Sequence, residues 1–336
     1  MTPLYSLPFR EQETPKSRNR RVLLIINPVS GRTKSKTSLY GILDKLYSVG
    51  TPAPAEWVTV VPTTHRGHAA ELAASAHREG FDPVICCGGD GTLNETVRGI
   101  LSLPPEERPE LGYIPAGSTN DFAASLGLPS LPSRSAEVAM TAPAHPLDIG
   151  LFTPDGEYGR HFTYIASFGV FTAASYTTPQ TAKNVMGHAA YIMEGVKDLM
   201  ALQPRRARFE LSDGTVLEDS EYVFCAVTNT TSAGGVIQLP KAEVSFSDGL
   251  LELLLIKLPK TPADLNRIVT ALLTVNPGDC PLIEFRHTAS VRITTAEPTT
   301  WSLDGEEALG GKRIEIHCIG GGVKLKTARS CIRCNP

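Results

Sequence analysis

The feature that most restricts this chain is a fourfold alternation between residues 21 and 126, in which a short unbroken apolar run is followed each time by a longer segment with apolar residues at helical spacing. The runs are RVLLIIN, WVTVV, PVICCGG and LGYIP, and the segments behind them cover residues 35–48, 67–78, 92–101 and 119–126. A strand with one wet face alternates polar and apolar side chains, so VLLII and VICC predict strands buried on both faces. A helix after each such strand then requires a parallel sheet with helices packed on either side. That is an α/β domain, and domains of this kind bind ligands at the loops that leave the carboxyl ends of their strands.

After about residue 144 the pattern changes. FTYIASFG, RARFELSD, EYVFCAVTN, LLELLLIK, SVRITT, RIEIHC and VKLKT read as strands, several with period-two alternation. Two helical segments interrupt them, at 187–202 and 262–274. The first carries Ala189, Ile192, Met193, Val196, Leu199 and Met200 on one stripe, a spacing that ordinarily marks core packing. The proline-rich stretches around Pro104 and Pro105 and across 129–146 read as surface loops. At 336 residues the chain exceeds one domain of about 100–200 residues. The expected fold class is therefore α/β plus β: a polar extension over 1–20, an α/β domain with a parallel sheet over 21–146, and a β-rich, sandwich-like domain over 147–315. A segment at 316–330 is expected to return to the first domain, and 331–336 to form a tail.

Composition removes several classes. The 32 basic and 35 acidic side chains leave a formal net charge of −3, so the overall cationic field of a nucleic-acid binder is absent and no nucleic-acid partner is expected. The first 21 residues hold no apolar secretory core, and the densest apolar runs, 22–26 and 250–256, fall far short of the roughly 18 residues of a membrane span. Seven cysteines, an odd number with Cys86 and Cys87 adjacent, suit reduced thiols in the cytoplasm better than a disulfide framework. Cys331 and Cys334 form a single C-x-x-C without the further ligands a structural zinc needs, and read as part of the tail.

The chemistry of the first half lies in its loops. PVICC runs directly into Gly88-Gly89-Asp90-Gly91-Thr92, and Leu93, Asn94 and Glu95 leave it on a helix. Glycines there let backbone approach a ligand, and unpaired N–H groups at a helix start attract an anion such as a polyphosphate. Asn27-Pro28-Val29-Ser30-Gly31-Arg32 ends the first strand with amide, hydroxyl and guanidinium donors, and the fourth strand ends in small polar residues from Ala116 to Asp121. Any one of these loops alone is a tight turn with a helix cap; three in succession point to phosphate binding. No G-x-x-x-x-G-K-[ST] is present, and Gly89-x-Gly91-x-x-Asn94 lacks the third glycine of the dinucleotide fingerprint, which disfavours a Rossmann dehydrogenase.

NPVSGR, GGDGTLNE and IPAGSTNDFA, in that order and spacing, resemble the diacylglycerol kinase catalytic domain family, the bacterial soluble lipid kinases and their sphingosine and ceramide kinase relatives. The resemblance continues through LDIG, FTYIASFG, KNVMGHAAYIMEGVKDL, SDGLLEL and WSLDGEE, covering residues 21 to about 327. GGDG alone is shared with NAD kinases, whose first domain is similar. The resemblance implies transfer of the ATP γ-phosphoryl group to a lipid hydroxyl in a cleft between an α/β nucleotide domain and a β-sandwich. It places nucleotide contacts on Asn27, Pro28, Val29, Ser30 and Gly31, on Thr63, on Gly88, Gly89, Asp90, Gly91, Thr92, Leu93, Asn94 and Glu95, and on Ser118, where the family usually has threonine.

A carboxylate inside a phosphate loop repels ATP unless a cation intervenes, so Asp90 implies Mg2+ bridging to the phosphates. Asp121 either joins that charge balance or caps its helix. On the acceptor side, a lipid alcohol is a poor nucleophile, and a carboxylate accepting its proton assists attack on phosphorus. The resemblance maps this base to Asp304-Gly305-Glu306, with Asp304 and Glu306 not distinguished. It also places a separate structural Mg2+ on Ser245, Asp248 and Leu250, and gives Asp148 a hinge or strand-edge role. The expected partners are a lipid alcohol and transiently a membrane surface, with 187–202 and the following Arg205, Arg206 and Arg208 as the contact; the oligomeric state is open. The alternatives are an NAD kinase and a non-catalytic nucleotide or lipid sensor on the same fold.

Overall fold

The computed structural model describes residues 20–118, 120–169, 204–233 and 237–327, with backbone alone for 32–37. The N-terminal extension, the helical segment 187–202 and the tail with Cys331 and Cys334 lie outside the described residues.

Strands β1 (Arg21–Ile26), β2 (Trp57–Pro62), β3 (Val84–Gly88) and β4 (Leu111–Pro115) form a parallel sheet in the order β2-β1-β3-β4. Helices α1 (Lys34–Ser48), α2 (His68–Ser75), α3 (Asp90–Leu101), α4 (Asp121–Ser125) and α5 (Pro132–Thr141) surround it. The unbroken apolar runs are explained by two-sided burial: Leu23 and Ile25 meet Ala69, Ala73, Leu93 and Val97 on one face, while Val22, Leu24 and Ile26 meet Ile42, Leu46 and Met140 on the other. Each such buried valine, leucine, isoleucine or methionine contributes about 1.5–3 kcal/mol.

One expectation fails here. The stretch 129–146 is not a surface loop throughout, because it contains α5, whose Ala136, Ala139 and Met140 are buried against the sheet. Pro132 occupies its first turn, where a missing N–H costs nothing, so proline starts this helix instead of breaking it.

The rest of the chain is mainly antiparallel: β5 (Ala144–Pro154), β6 (Arg160–Phe162), β7 (Ile165–Gly169), β8 (Arg205–Leu211), β9 (Val216–Thr228), β10 (Ser232–Ala233), β11 (Ile237–Gln238), β12 (Leu251–Lys257), β13 (Ile283–Thr288), β14 (Ser290–Thr295), β15 (Thr300–Leu303), β16 (Glu306–Leu309) and β17 (Arg313–Lys326). Helix α6 (Pro262–Leu273) is held by a capping box between Thr261 and Asp264. These strands wrap a second core around Trp301, Phe152, Phe168, Phe209 and Tyr222. RIEIHC and VKLKT, read above as two strands, are one: β17 bends at Gly320, Gly321 and Gly322, where its register on β5 shifts between Ile319 and Val323. Past the bend Leu325 pairs in parallel with Leu111 of β4, so β17 belongs to both domains and the hydrogen-bonded sheet runs from one into the other. The architecture is thus the expected α/β domain joined to a β-sandwich-like domain.

Candidate active site

The strand-end loops of the first domain meet on one surface. The Asn27 amide N–H donates to Cys87 O at 2.9 Å, its side-chain nitrogen to Thr92 Oγ1 at 3.0 Å, and its Oδ1 accepts from Val29 N at 3.1 Å, so this residue organises two loops at once. Ser30 Oγ accepts from Gly89 N at 3.3 Å. Gly31 has φ 57°, and a Cβ there would fall 2.1 Å from Ala116 O. Likewise a Cβ on Gly117 would fall 2.6 Å from Gly89 Cα. Only glycine permits these approaches. Thr63 N donates to Ile26 O at 2.8 Å, which sets the end of β2 beside the first loop, and Gly67 N donates to Glu95 Oε1 at 2.8 Å. Helix α3 starts at Asp90 with no side-chain cap, leaving its N-terminal amides for an anion.

Not every residue named from the sequence offers a side chain to this surface. Leu93 is buried in the core and contributes backbone only, Thr92 is buried against Asn27, Val29 is exposed and Pro28 is half-buried. Gly88 ends β3, and Ser118 is exposed just after Gly117.

The carboxylates reach this surface from both domains. Asp90 keeps a partial opening to the cleft and accepts from Tyr113 OH at 3.3 Å. Burial pushes its pKa up to about 7, with Asp121 and Asp304 adding like charge. Asp304 occupies the two-residue turn between β15 and β16 with φ 50° and is buried. Its carboxylate accepts from the amides of Thr163 at 2.6 Å, Tyr164 at 3.0 Å and Ile165 at 3.0 Å, and from Asn94 Nδ2 at 2.8 Å. Burial raises its pKa while these four donors oppose the rise. Asn94 comes from α3, so this hydrogen bond crosses between the domains.

Glu306, only two residues on, is half-exposed and faces the phosphate loop: its Oε1 lies 3.8 Å from where a Cβ on Gly91 would sit. Its Oε2 pairs with Arg66 at 2.5 Å and with Arg160 at 3.5 Å. Asp90 and the 304–306 turn therefore line one crevice. Arg66, Arg160 and Tyr113 were not legible in the sequence, since each is an ordinary residue of its loop or strand until the domains meet.

Ser245, Asp248 and Leu250 lie apart, in the loop before β12. Asp248 Oδ1 accepts from Leu250 N at 3.0 Å, and Asp148 of β5 holds the same loop by accepting from Gly249 N at 2.6 Å and from Gly321 N, in the bend of β17, at 2.7 Å. Of the eight buried polar side-chain atoms without a partner among the described residues, six belong to Thr228, Asn229, Ser245, Ser247 and Glu252. Burial drives Glu252 well above the usual carboxylate range. All six are oxygens, the donor set of a hard cation such as Mg2+. Among the described residues no three His, Cys, Asp or Glu side chains group closely enough to hold a metal by themselves, so a cation here would have to rely also on hydroxyl and carbonyl oxygens.

A glycine-lined anion surface faced by carboxylates from a second domain suits phosphoryl transfer from a nucleotide, which places the chain among two-domain kinases. Residues 21–152 match the diacylglycerol kinase catalytic domain, and residues 165–325 match the YegS C-terminal NAD kinase beta sandwich-like domain. The chain is 33% identical over 288 residues to a diacylglycerol kinase of Bacillus subtilis, covering 85% of this chain and 90% of that protein. It is also 33% identical over 245 residues to a probable YegS-like lipid kinase of Chromohalobacter salexigens, covering 73% of this chain and 76% of that protein. A crystal structure of a putative diacylglycerol kinase from Bacillus anthracis shares the fold, with a TM-score of 0.72 at 23% identity over 93% of this chain and 99% of that one. The chain belongs to the diacylglycerol kinase catalytic-domain family and is, by class, an ATP-dependent lipid kinase.

Proposed function

We propose that the protein transfers the γ-phosphoryl group of Mg2+-ATP to the hydroxyl of diacylglycerol or a related lipid alcohol, with Glu306 as the general base and Asp304 as the residue that positions it. The observation that carries this reading is the difference between the two carboxylates. Asp304 spends its acceptor capacity on four N–H donors, whereas Glu306 opens to the crevice beside Gly91. The nucleotide phosphates would lie along 27–31 and 88–92 and at the start of α3. Asp90 fits a Mg2+ ion because its carboxyl stands in the anion loop with Asp121 and Asp304 for neighbours and no cationic group among its main influences. Such an ion supplies neutralisation of phosphate charge. Glu306 accepts the lipid hydroxyl proton as the oxygen attacks phosphorus, and Arg160 keeps its carboxylate oriented. Ser245, Asp248 and Leu250 would hold a second, structural cation.

The acceptor is reached by contact with a bilayer surface. Among the described residues no helix is long and apolar enough to cross a membrane. Arg206 and Arg208 are paired with Asp219 and Glu210, so the basic stretch of β8 carries less free charge than its sequence implies.

The test is incubation with labelled ATP and either a total lipid extract or NAD, with products separated by thin-layer chromatography. A labelled lipid is expected, and Glu306→Gln is expected to lower turnover by roughly 10²- to 10⁴-fold while ATP affinity is kept. Label in NAD alone, or full turnover in Glu306→Gln, overturns the reading.

A further inference from the structure

Arg66 joins the anion loops to the proposed base. It stands in the loop after β2, in the first domain, and its guanidinium pairs with Glu306 Oε2 of the second domain at 2.5 Å. The root of this loop is fixed. Gly67 N donates to Glu95 Oε1 at 2.8 Å, and α2 and α3 pack so closely that a Cβ on Gly99 would fall 2.2 Å from Ala70 O. The Arg66 side chain itself is 77% exposed, and no other carboxylate among the described residues pairs with it. Its tip stands at the phosphate loop, because the second oxygen of the same carboxylate, Glu306 Oε1, lies 3.8 Å from where a Cβ on Gly91 would sit.

Two features make this pair exchangeable. The loops 27–31, 88–92 and 116–120 contain no lysine or arginine, and Asp90 adds negative charge, so positive charge for a polyphosphate has to come from their flanks, on one of which Arg66 stands. A guanidinium pairs with phosphate as it does with carboxylate, through parallel N–H donors. A polyphosphate carries more charge than one carboxylate, and an ion pair between exposed groups in water is weak, so the phosphate wins the competition. Nor does Glu306 lose its last cation when Arg66 leaves. Arg160, from its own domain, lies 3.5 Å from the same Oε2 and donates to Glu307 O at 3.1 Å, which keeps it beside the hairpin.

We propose that Arg66 is a positioning residue that changes partner. In the nucleotide-free protein it holds Glu306 across the gap between the domains; the terminal phosphate of a bound nucleoside triphosphate takes it over, leaving Glu306 with Arg160 and open to the acceptor hydroxyl. This rests on the reading of Glu306 as the general base, and adds the residue that ties the base to the presence of the phosphoryl donor. The terminal phosphate is the one concerned because a base must stand beside the phosphorus that its acceptor attacks, and Arg66 touches that base. Nucleotide binding thus precedes activation of the lipid, and the carboxylate stays engaged while there is no group to transfer.

The experiment compares wild type, Arg66→Ala and Arg66→Lys as full chains, by calorimetric titration with Mg2+ and either a non-hydrolysable ATP analogue or AMP, and by steady-state lipid phosphorylation. Arg66→Ala is expected to bind the triphosphate analogue at least about tenfold more weakly and AMP as wild type does, with a raised KM for ATP and a kcat within about threefold of wild type. Arg66→Lys is expected to recover part of the loss. Unchanged affinity for the analogue overturns the transfer to phosphate, and so does equal weakening towards AMP. A fall in kcat with unaltered KM for ATP also overturns it, because Arg66 would then stay on Glu306 during turnover. The nucleotide-free pair is read from the Arg66 Nε–H signal in a heteronuclear NMR spectrum, assigned by its loss in Arg66→Lys. This signal is expected to shift in Glu306→Gln, and in wild type on adding the analogue; indifference to Glu306→Gln overturns the hold on Glu306. Absence of any phosphorylated lipid from wild type overturns the kinase reading instead, while the titrations and the spectrum still decide the role of Arg66.

Discussion

Asp90, the residue proposed above to hold Mg2+, sets that role against the stability of the fold, and the size of the conflict can be measured. Its pKa rises from 3.8 to about 7, chiefly through burial and then through Asp121 and Asp304. At about 1.4 kcal/mol per tenfold change in proton affinity, a rise from 3.8 to about 7 gives a ceiling near 4 kcal/mol for keeping the ionised group in the nucleotide-free protein. The opening of Asp90 to the cleft brings the real figure below that ceiling. The start of α3 favours a negative charge, but such a term is about 0.3–1 kcal/mol and does not offset burial.

The sign is fixed by the direction of the shift. A folded pKa above the unfolded one means the stabilising, protonated form is complete below about pH 4 and lost as pH rises through about 7. Asp90→Asn is neutral throughout this window. Its stability relative to wild type should therefore be near zero at about pH 4, grow through pH 7, and level off by pH 8 at between about 1 and 4 kcal/mol. The assay is urea unfolding of both proteins at several pH values without Mg2+ or nucleotide, comparing midpoints because a two-domain chain need not unfold in one step. The same variant should use Mg2+-ATP poorly. An Asp90→Asn protein less stable than wild type at pH 8, or a gap that ignores pH, refutes the reasoning.

Asp304→Ala removes the acceptor for three buried amides and for Asn94, which should cost about 3–5 kcal/mol in urea unfolding, whereas Asn94→Ala should cost about 1 kcal/mol. Wild-type stability in Asp304→Ala would mean that the turn is not clipped to β7 as described. Gly31→Ala forces a methyl to 2.1 Å from Ala116 O at a left-handed residue, so the loop must shift. It should weaken binding of a fluorescent ATP analogue at least tenfold with about 1–3 kcal/mol lost from the fold; unaltered nucleotide affinity would separate Gly31 from the phosphate surface.

The parts of this structure that were legible in the sequence are those in which one physical requirement acts on consecutive residues. Burial on both faces wrote VLLII and VICC, and close packing between loops wrote the glycines after β3, where a Cβ on Gly88 would meet Thr92 and one on Gly89 would meet Gly117. Helix α5 was masked because its buried face is alanine and its start is proline, and β17 looked divided because Gly320, Gly321 and Gly322 interrupt the apolar pattern without interrupting the strand. The contacts that complete the site, Asn94 with Asp304 and Arg66 with Glu306, join residues 210 and 240 positions apart, and no local signal encodes them. The division of labour between Asp304 and Glu306 has a different origin. In a regular strand, residues two apart share a face, and two carboxylates at that spacing would point together. Here Asp304 at φ 50° and Gly305 at φ 86° are the two left-handed residues of a tight hairpin between Leu303 and Glu306. The reversal turns Asp304 back onto the amides of Thr163, Tyr164 and Ile165 at the start of β7 and starts Glu306 on the return strand, beside Gly91. What separates a braced carboxylate from an open one is thus the backbone of a two-residue turn, acting on side chains that differ by a single methylene.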